Sequence, residues 1–373
     1  MKKIRILHVL GSLNFSGQEI MMENSSSYMK DANIKSFILS TGHNIGPAYN
    51  MLKKGHEINH ISFAKHKIFG PLLRFLAFFS LLNFLSKNKF HIIHIHTEAN
   101  FFKICFCAIL SGHKNIVRTV HSVFFPNLIM RIRRKLILKL CKFFNVKFIS
   151  NSKTVAKNEL KNYNLQLLIL DAFYNESKYF YNYDIKKKKL RKKIKISPNK
   201  LVLMSVGNCS AIKNHNLILK SLSILPKKLD WIYIHVGDED INKSERKLSK
   251  QLNIQNKCKF LGAKHDYSRY AFISDIYITS SLVEGLGIAT IEASAIGLIP
   301  ILTKVPGNNE ILKKIKGTIG IELNPISLKK AILKISLMKK EKRLKLSFLI
   351  HQQIKKYYSR KNIYQYIKCY KSI

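Results

Sequence analysis

The stretch Ser280-Ser281-Leu282-Val283-Glu284-Gly285-Leu286-Gly287-Ile288-Ala289-Thr290-Ile291-Glu292-Ala293-Ser294-Ala295-Ile296 decides the fold. Directly before it, Ile276-Tyr277-Ile278-Thr279 is a β-branched and aromatic run that reads as a short buried strand. Gly285 and Gly287 then make a tight loop, and the apolar run after them reads as a helix. Strand, glycine loop and helix in that order aim free backbone N–H groups and a positive helix end at one place, where a phosphate can sit. Glu284 stands in the loop and Glu292 one to two turns into the helix, both within reach of hydroxyls on a ligand bound there. Two carboxylates eight positions apart are common on helices and mostly solvated, so the pair carries weight only with its surroundings.

Working outward, strand-like runs fall at residues 5–10, 36–39, 58–61, 91–96, 116–120 and 147–150, with helical stretches between them. Near 167–175 the pattern changes to a short strand and a loop, and residues 186–195 hold eight Lys or Arg in ten positions. The alternation then restarts at 201–206, 231–236, 259–261, 276–279, 299–302 and 319–321. Two rounds of one alternation predict an α/β chain of two Rossmann-like, doubly wound parallel-sheet domains facing across a cleft. The expected boundaries are 1–172 and 173–354, with a helix at about 355–373 packing back on the first domain. In such sheets ligands bind at the carboxyl ends of strands.

Composition narrows the partners. The 373 residues are 46% hydrophobic, enough for two packed cores and too much for a disordered chain. With 65 Lys and Arg against 21 Asp and Glu the net charge is +44, which raises nucleic acid, anionic lipid and acidic substrates together. A chain rich in Lys, Ile and Asn, as from an AT-rich genome, reaches such a charge with many lysines merely solvated. Nucleic acid ranks last and is not the expected partner, because charge alone supports it and neither RNA-recognition text nor basic-aromatic interleaving on a sheet face is present. The six cysteines form no C-x-x-C pair and show no histidine spacing typical of zinc, so reduced cytosolic thiols and no metal site are expected. The N-terminal run to Gly11 is broken by His8 and lacks a cleavage site, so it reads as a first strand and implies no secretion. Residues 68–85 approach the length of a bilayer span, but Gly70, Pro71, Arg74 and Asn83 favour a buried or interfacial helix. Residues 128–147 carry seven Lys or Arg and no acid among apolar residues at helical spacing, a basic amphipathic helix. That helix either packs on the sheet with a solvated basic face or docks to an anionic membrane surface, and both can hold together.

Ser281-Leu-Val-Glu284-Gly-Leu-Gly287, followed by Ile291-Glu292-Ala-Ser-Ala-Ile-Gly297, is similar to "SLxEGxG…xEAxAxG", the E-x7-E signature of family-4 retaining glycosyltransferases of the GT-B fold. Gly11-Ser-Leu-Asn-Phe-Ser16-Gly17-Gln18-Glu resembles that family's "GSLxxGGAE" loop, with Ser16 where the first Gly of the pair is usual and Gln18 in place of a small residue. Val206-Gly207-Asn208, continued to Lys213-Asn214-His215, resembles "VGRxxxxKN(H/G)". Lys213 matches, while Asn208 stands where Arg is usual and so removes a charge and a bidentate donor. Val117 to Ser122, with His121, resembles "xxTxHx", although a lone histidine at a strand end is often structural. His94 and His96 are similar to a "DxxHxHx" strand and read as sheet-edge or acceptor-side residues. Gly237-Asp238, Phe260-Leu261-Gly262, and Gly307 with Glu310 echo further family turns, with Pro306 in place of one Gly.

The resemblance runs from about residue 4 to about 335 and is strongest over 201–312. It implies an enzyme that moves a hexosyl or N-acetylhexosaminyl group from a nucleotide-sugar, a UDP-sugar before a GDP-sugar, with retention at the anomeric carbon. It implies no metal or tightly bound cofactor. Gly17, Gly207, Asn208, Lys213, Gly285, Leu286 and Gly287 would bind the donor, Lys213 and the loop amides stabilising charge on the departing diphosphate. Glu284 would hold sugar hydroxyls, Glu292 the ribose hydroxyls, and His121 would contact the sugar or the acceptor; Glu284 and His121 are the catalytic candidates. The nearest text belongs to capsule, exopolysaccharide and O-antigen (lipopolysaccharide) assembly, so a polyprenyl-diphosphate-linked glycan is the expected acceptor. The expected location is cytoplasmic and peripheral on the inner face of the cell membrane. The rival readings are a catalytically weak GT-B module acting as a basic membrane-associated partner, which Asn208, Ser16 and Pro306 favour, and a sugar-nucleotide epimerase of the same fold, which the E-x7-E context disfavours.

Overall fold

The computed structural model describes residues 3–63, 70–123, 127–181 and 183–373. The chain divides into two compact units, residues 1–172 with 361–373, and residues 173–360. The first holds a parallel sheet of β1 (Ile4–Leu10), β2 (Ile34–Ser40), β3 (Glu57–His60), β4 (Ile92–Ile95), β5 (Ile116–Val120), β6 (Lys147–Ser150) and β7 (Leu168–Ile169), in the order β3-β2-β1-β4-β5-β6-β7. The second holds β8 (Leu201–Val206), β9 (Trp231–Val236), β10 (Cys258–Phe260), β11 (Ile276–Thr279), β12 (Ile299–Thr303) and β13 (Ile319–Ile321), in the order β10-β9-β8-β11-β12-β13. Both sheets are all-parallel and reverse direction of growth between their first and fourth strands. That reversal leaves a crevice at the strand ends with no crossover helix over it.

The strands read so clearly because helices cover both faces of each sheet. Every residue of β9, β11 and β12 is buried, and such strands are continuous apolar runs instead of alternating ones. The edge strand β3, in contrast, alternates exposed and half-buried positions. Helices end repeatedly on asparagine: Asn33, Asn145, Asn164 and Asn253 have φ between 50° and 62°, a conformation Asn tolerates better than most residues.

Two expectations are corrected. The basic amphipathic helix spans Leu128–Phe143 and not 128–147, because Asn145 turns left-handed and Lys147 already opens β6. The expected helix at about 355–373 is two helices, Lys340–Tyr358 in the second unit and Ile363–Lys371 in the first, parted where Ser359 becomes extended. The latter is tied down by Asn362 Nδ2 donating to Ala172 O (2.8 Å) and Tyr366 Oη to Leu170 O (3.0 Å). The basic run after residue 186 lies largely in the helix Tyr183–Lys193. Lys187 and Arg191, one turn apart, are buried and clamp the buried carboxylate of Asp275. Of the 68–85 segment, residues 68 and 69 lie outside the described residues and the remainder belongs to the helix Gly70–Lys87. No helix among the described residues is long and apolar enough to cross a membrane.

Burial alone would raise the Asp275 carboxyl, but the two cations and the Val202 amide outweigh it and hold it at about 2. Burial pushes the Lys187 ammonium down to about 8 against the pull of Asp275. Asp275→Asn leaves two buried cations without their counter-charge, and we expect a loss of about 3–5 kcal/mol in urea unfolding at neutral pH. The wild-type contribution of Asp275 should persist above the ordinary carboxylate range and vanish as pH falls through about 2.

Candidate active site

In the second unit two loops leave the adjacent strands β8 and β11. The first begins at Gly207, where φ is 150°, and lies backbone to backbone on the turn after β9. A Cβ on Gly237 would stand 2.0 Å from Gly207 O, so that position admits only glycine. Cys209 N donates to Asp238 O (2.8 Å), and Asp238 N donates to Asn208 Oδ1 (3.0 Å). The Asn208 side chain is thus partly spent on holding the neighbouring turn. The loop closes at Asn214, φ 51°, and the helix His215–Ser223 follows.

The second loop is stitched to the first. Ser280 Oγ donates to Lys213 O (2.9 Å), and Leu282 N to Ile212 O (2.8 Å). Thr303 Oγ1 holds Ser281 O (2.7 Å), and Glu284 N donates to Pro306 O (3.1 Å), so proline at 306 keeps the contact the loop needs. Gly307, φ 89°, passes so close that a Cβ there would meet Glu284 O at 2.2 Å. On this framework Lys213 Nζ donates to Glu284 Oε1 (2.7 Å), which also accepts from Ser281 Oγ (2.6 Å). The Glu284 side chain is 11% exposed and that of Lys213 32%, so a solute can reach the pair.

Gly287, φ 75°, opens the helix Ile288–Ile296 with no side-chain cap, leaving first-turn amides for a ligand. Gly285 flanks it, while Leu286 is buried. Glu292 is buried and accepts from the Tyr267 hydroxyl, inside the helix packing.

The first unit holds its own polar cluster at the ends of β1, β4 and β5. His8 Nδ1 lies 3.1 Å from His96 Nε2, and His96 Nδ1 lies 3.2 Å from His121 Nε2. His94 bonds Tyr370 Oη (2.7 Å) and Thr119 Oγ1 (2.6 Å) through its two nitrogens. His94 and His96 are therefore buried residues whose ring nitrogens are taken up by protein partners, and of the four histidines only His121 is half-exposed. Burial, with the Arg118 charge added, pushes His121 down to about 3, so it is neutral at pH 7. Gly17 is the first residue of the helix Gly17–Asp31, and Ser16 caps it, accepting from Gln18 N (3.3 Å) and donating to Glu19. Serine replaces glycine there as an N-cap. Sequence reasoning missed the cavity of about 440 Å³ lined by Arg74, Glu98, Phe102, Arg118, Arg133 and Arg134. Within its lining Glu98 bridges Arg118 and Arg134.

Residues 186–348 match the family described as "Glycosyl transferases group 1", and residues 15–167 match "Glycosyltransferase Family 4". A UDP-Gal:alpha-D-GlcNAc-diphosphoundecaprenol alpha-1,3-galactosyltransferase of Escherichia coli is 27% identical over 259 residues, 66% of each chain. That is just under two thirds of its length, and alignments with two further curated relatives cover 28% and 42% of theirs. A glycosyltransferase from Rickettsia africae superposes with a TM-score of 0.80 at 22% identity, over 100% of this chain and 99% of that one. Anabaena HepE in complex with UDP-glucose gives 0.81 at 16% identity, over 99% and 100%.

The close approach at Gly307 is directly testable. Gly307→Ala should cost about 1–3 kcal/mol of stability, since it forces a side chain into a left-handed conformation against Glu284 O. Urea unfolding of the purified protein would measure it.

Proposed function

Because the chain belongs to the group 1 and family 4 glycosyltransferases of the GT-B fold, we propose that it transfers a sugar from a nucleotide-sugar, with retention, to a polyprenyl-diphosphate-linked glycan in surface polysaccharide synthesis. The observation that carries this reading is the Lys213–Glu284 pair at the reversal point of the second sheet, beside an uncapped helix start. A donor diphosphate presented to Lys213 replaces Glu284 as its counter-ion. Glu284 is then free to accept hydrogen bonds from sugar hydroxyls. The bond from the anomeric carbon to the diphosphate oxygen breaks, and the acceptor hydroxyl oxygen bonds that carbon on the same face. The acceptor proton passes to the departing diphosphate, whose charge Lys213 and the loop amides stabilise. Glu284 need not be a nucleophile in this step. Gly207, Gly285 and Gly287 let backbone approach the phosphates, and Glu292, bonded to the Tyr267 hydroxyl, would have to turn out of the helix packing to meet the ribose hydroxyls. His121, being neutral, acts as a hydrogen-bonding group toward sugar or acceptor and not as an acid at pH 7.

The E. coli relative's name specifies UDP-Gal and a diphosphoundecaprenol acceptor, and HepE was solved with UDP-glucose; both favour a UDP-sugar donor, and the former a lipid-linked acceptor. The first unit supports a lipid acceptor independently. On the helix Leu128–Phe143 only Leu138 and Cys141 are buried, whereas Ile129 and Phe143 are each 78% exposed and Leu136 58%. The apolar stripe is therefore not spent on the sheet. An apolar groove lined by Ile129, Ile132, Leu136 and Leu140 shares Phe102, Arg133 and Ile137 with the basic cavity. Cationic pocket and apolar groove together suit a diphosphate with an isoprenoid tail, at a peripheral position on the inner, anionic membrane face. A weak module that only binds membrane remains the second reading, favoured by Asn208 holding Asp238 N in place of a phosphate-directed arginine.

Two measurements test this. Release of free nucleotide from a panel of UDP-, GDP- and ADP-sugars, with and without membrane lipid extract, should single out one donor. Glu284→Gln should lower that lipid-dependent release roughly 10²–10³-fold while the protein stays folded; full activity in the variant would remove the assignment. Separately, the double variant Ile129→Glu, Leu136→Glu should lower the partition constant onto phosphatidylglycerol vesicles by at least about 100-fold, since each exposed aliphatic buried in lipid is worth about 1.5–3 kcal/mol.

A further inference from the structure

Behind the first loop of the second unit lies a cluster that sugar transfer does not use. It comprises Cys209 from that loop, His215 at the start of the next helix and His235 on β9. The Cys209 sulfur and one ring nitrogen of each histidine all lie within 4.8 Å of one another. Cys209 Sγ is 3.5 Å from His235 Nε2. Tetrahedral zinc, with Zn–S near 2.3 Å and Zn–N near 2.05 Å, places sulfur and nitrogen ligands about 3.6 Å apart. His235 turns its other nitrogen, Nδ1, to Ser205 Oγ (3.1 Å), which in turn bonds Tyr233 Oη (2.5 Å). This is the outer support a ligating imidazole needs.

A second observation points the same way. His215 is 4% exposed and Glu245 6% exposed, yet His215 Nδ1 and Glu245 Oε2 have no hydrogen-bond partner. Glu245 Oε1 stands 3.6 Å from His215 Nδ1, beyond a hydrogen bond but short enough to close into one when the ring is drawn to a metal. Buried polar atoms left so are rare and costly. The other histidine group, His8, His94 and His96, differs: its nitrogens bond one another, Tyr370 and Thr119.

We propose that Cys209, His215 and His235 bind one Zn²⁺, with the Glu245 carboxylate orienting His215 from behind. One thiolate and two imidazoles are borderline-soft donors that suit zinc over magnesium or calcium. Binding expels the Cys209 thiol proton to solvent. The ion ties the loop that carries Lys213 to β9 and to the helix after it. Its role is to hold that loop, and it stands whether or not the chain transfers sugar.

The test uses the full chain, stripped with chelator and titrated with Zn²⁺ against a chromophoric competitor. One equivalent should bind, with affinity falling at least 100-fold in Cys209→Ser and roughly 10–100-fold in Glu245→Gln. Cys258→Ser, which alters a thiol outside the cluster, should keep the full equivalent. Loading the wild type with Co²⁺ gives a readout that needs no variant: a thiolate-to-metal charge-transfer band with tetrahedral d–d absorption is expected. Folded wild type that takes up no Zn²⁺, a cobalt spectrum lacking the thiolate band, or unchanged affinity in Cys209→Ser would each overturn the proposal.

Discussion

The candidate site of the second unit depends on one adjacency, the pairing of β8 with β11 at Ile276↔Leu203 and Tyr277↔Met204. The chain leaves β8 toward β9 and returns to the other side of β8 only at β11, so their carboxyl ends lie side by side with nothing crossing between them. Two loops far apart in sequence are thereby brought within backbone hydrogen-bond distance. Leu282 N–Ile212 O and Ser280 Oγ–Lys213 O lock them, and only then does an ion pair between Lys213 and Glu284 become geometrically determined. The glycines follow from the same closeness. Gly237 and Gly307 sit where one loop's backbone crosses another's, and a methyl group at either would displace a carbonyl.

A chain with 65 basic and 21 acidic residues faces a second constraint, since burying a cation requires a counter-charge and few are available. The fold meets it by sharing. Asp275 serves Lys187 and Arg191, and Glu98 serves Arg118 and Arg134, the latter also reaching Glu159. Each shared carboxylate fastens elements distant in sequence, so these acids act as struts of the two sheets. The remaining lysines stay mostly at the surface, where they contribute a long-range positive field and little stability.

Strand positions were legible because a parallel strand buried on both faces is written as a nearly unbroken apolar run, and β8, β9 and β11 fall where such runs fall. Glu284 and Lys213 were legible because each sits in a local motif with glycine on one side and a helix on the other. What was not legible arises where one side chain's partner lies far away in sequence. Nothing in the run after residue 186 marks Lys187 and Arg191 as buried, because their partner Asp275 is more than eighty positions on. The zinc cluster escapes a search for spacing for the same reason: Cys209, His215 and His235 come from a loop, a helix start and a strand. The helix Leu128–Phe143 was legible as amphipathic, yet periodicity cannot tell an apolar face spent on the core from one left outside, and here it is mostly outside.

The departures from the family pattern now have physical content. Ser16 exchanges a glycine's freedom for an N-cap, and Asn208 exchanges a phosphate-directed guanidinium for a bond to the Asp238 amide. Both trade ligand-facing chemistry for local order. The field of a +44 chain can still draw an anionic donor to the protein, so encounter does not suffer from the missing charge. A diffuse field cannot replace a bidentate fork, however, because it neither orients the diphosphate nor strengthens as the leaving group departs. Under the proposed function, the burden of orientation therefore falls on Lys213 and on the rigidity of the loop that presents it. A loop short of one charge gains more from being held still than one with charge to spare, and the cluster at Cys209 lies where such a restraint would act.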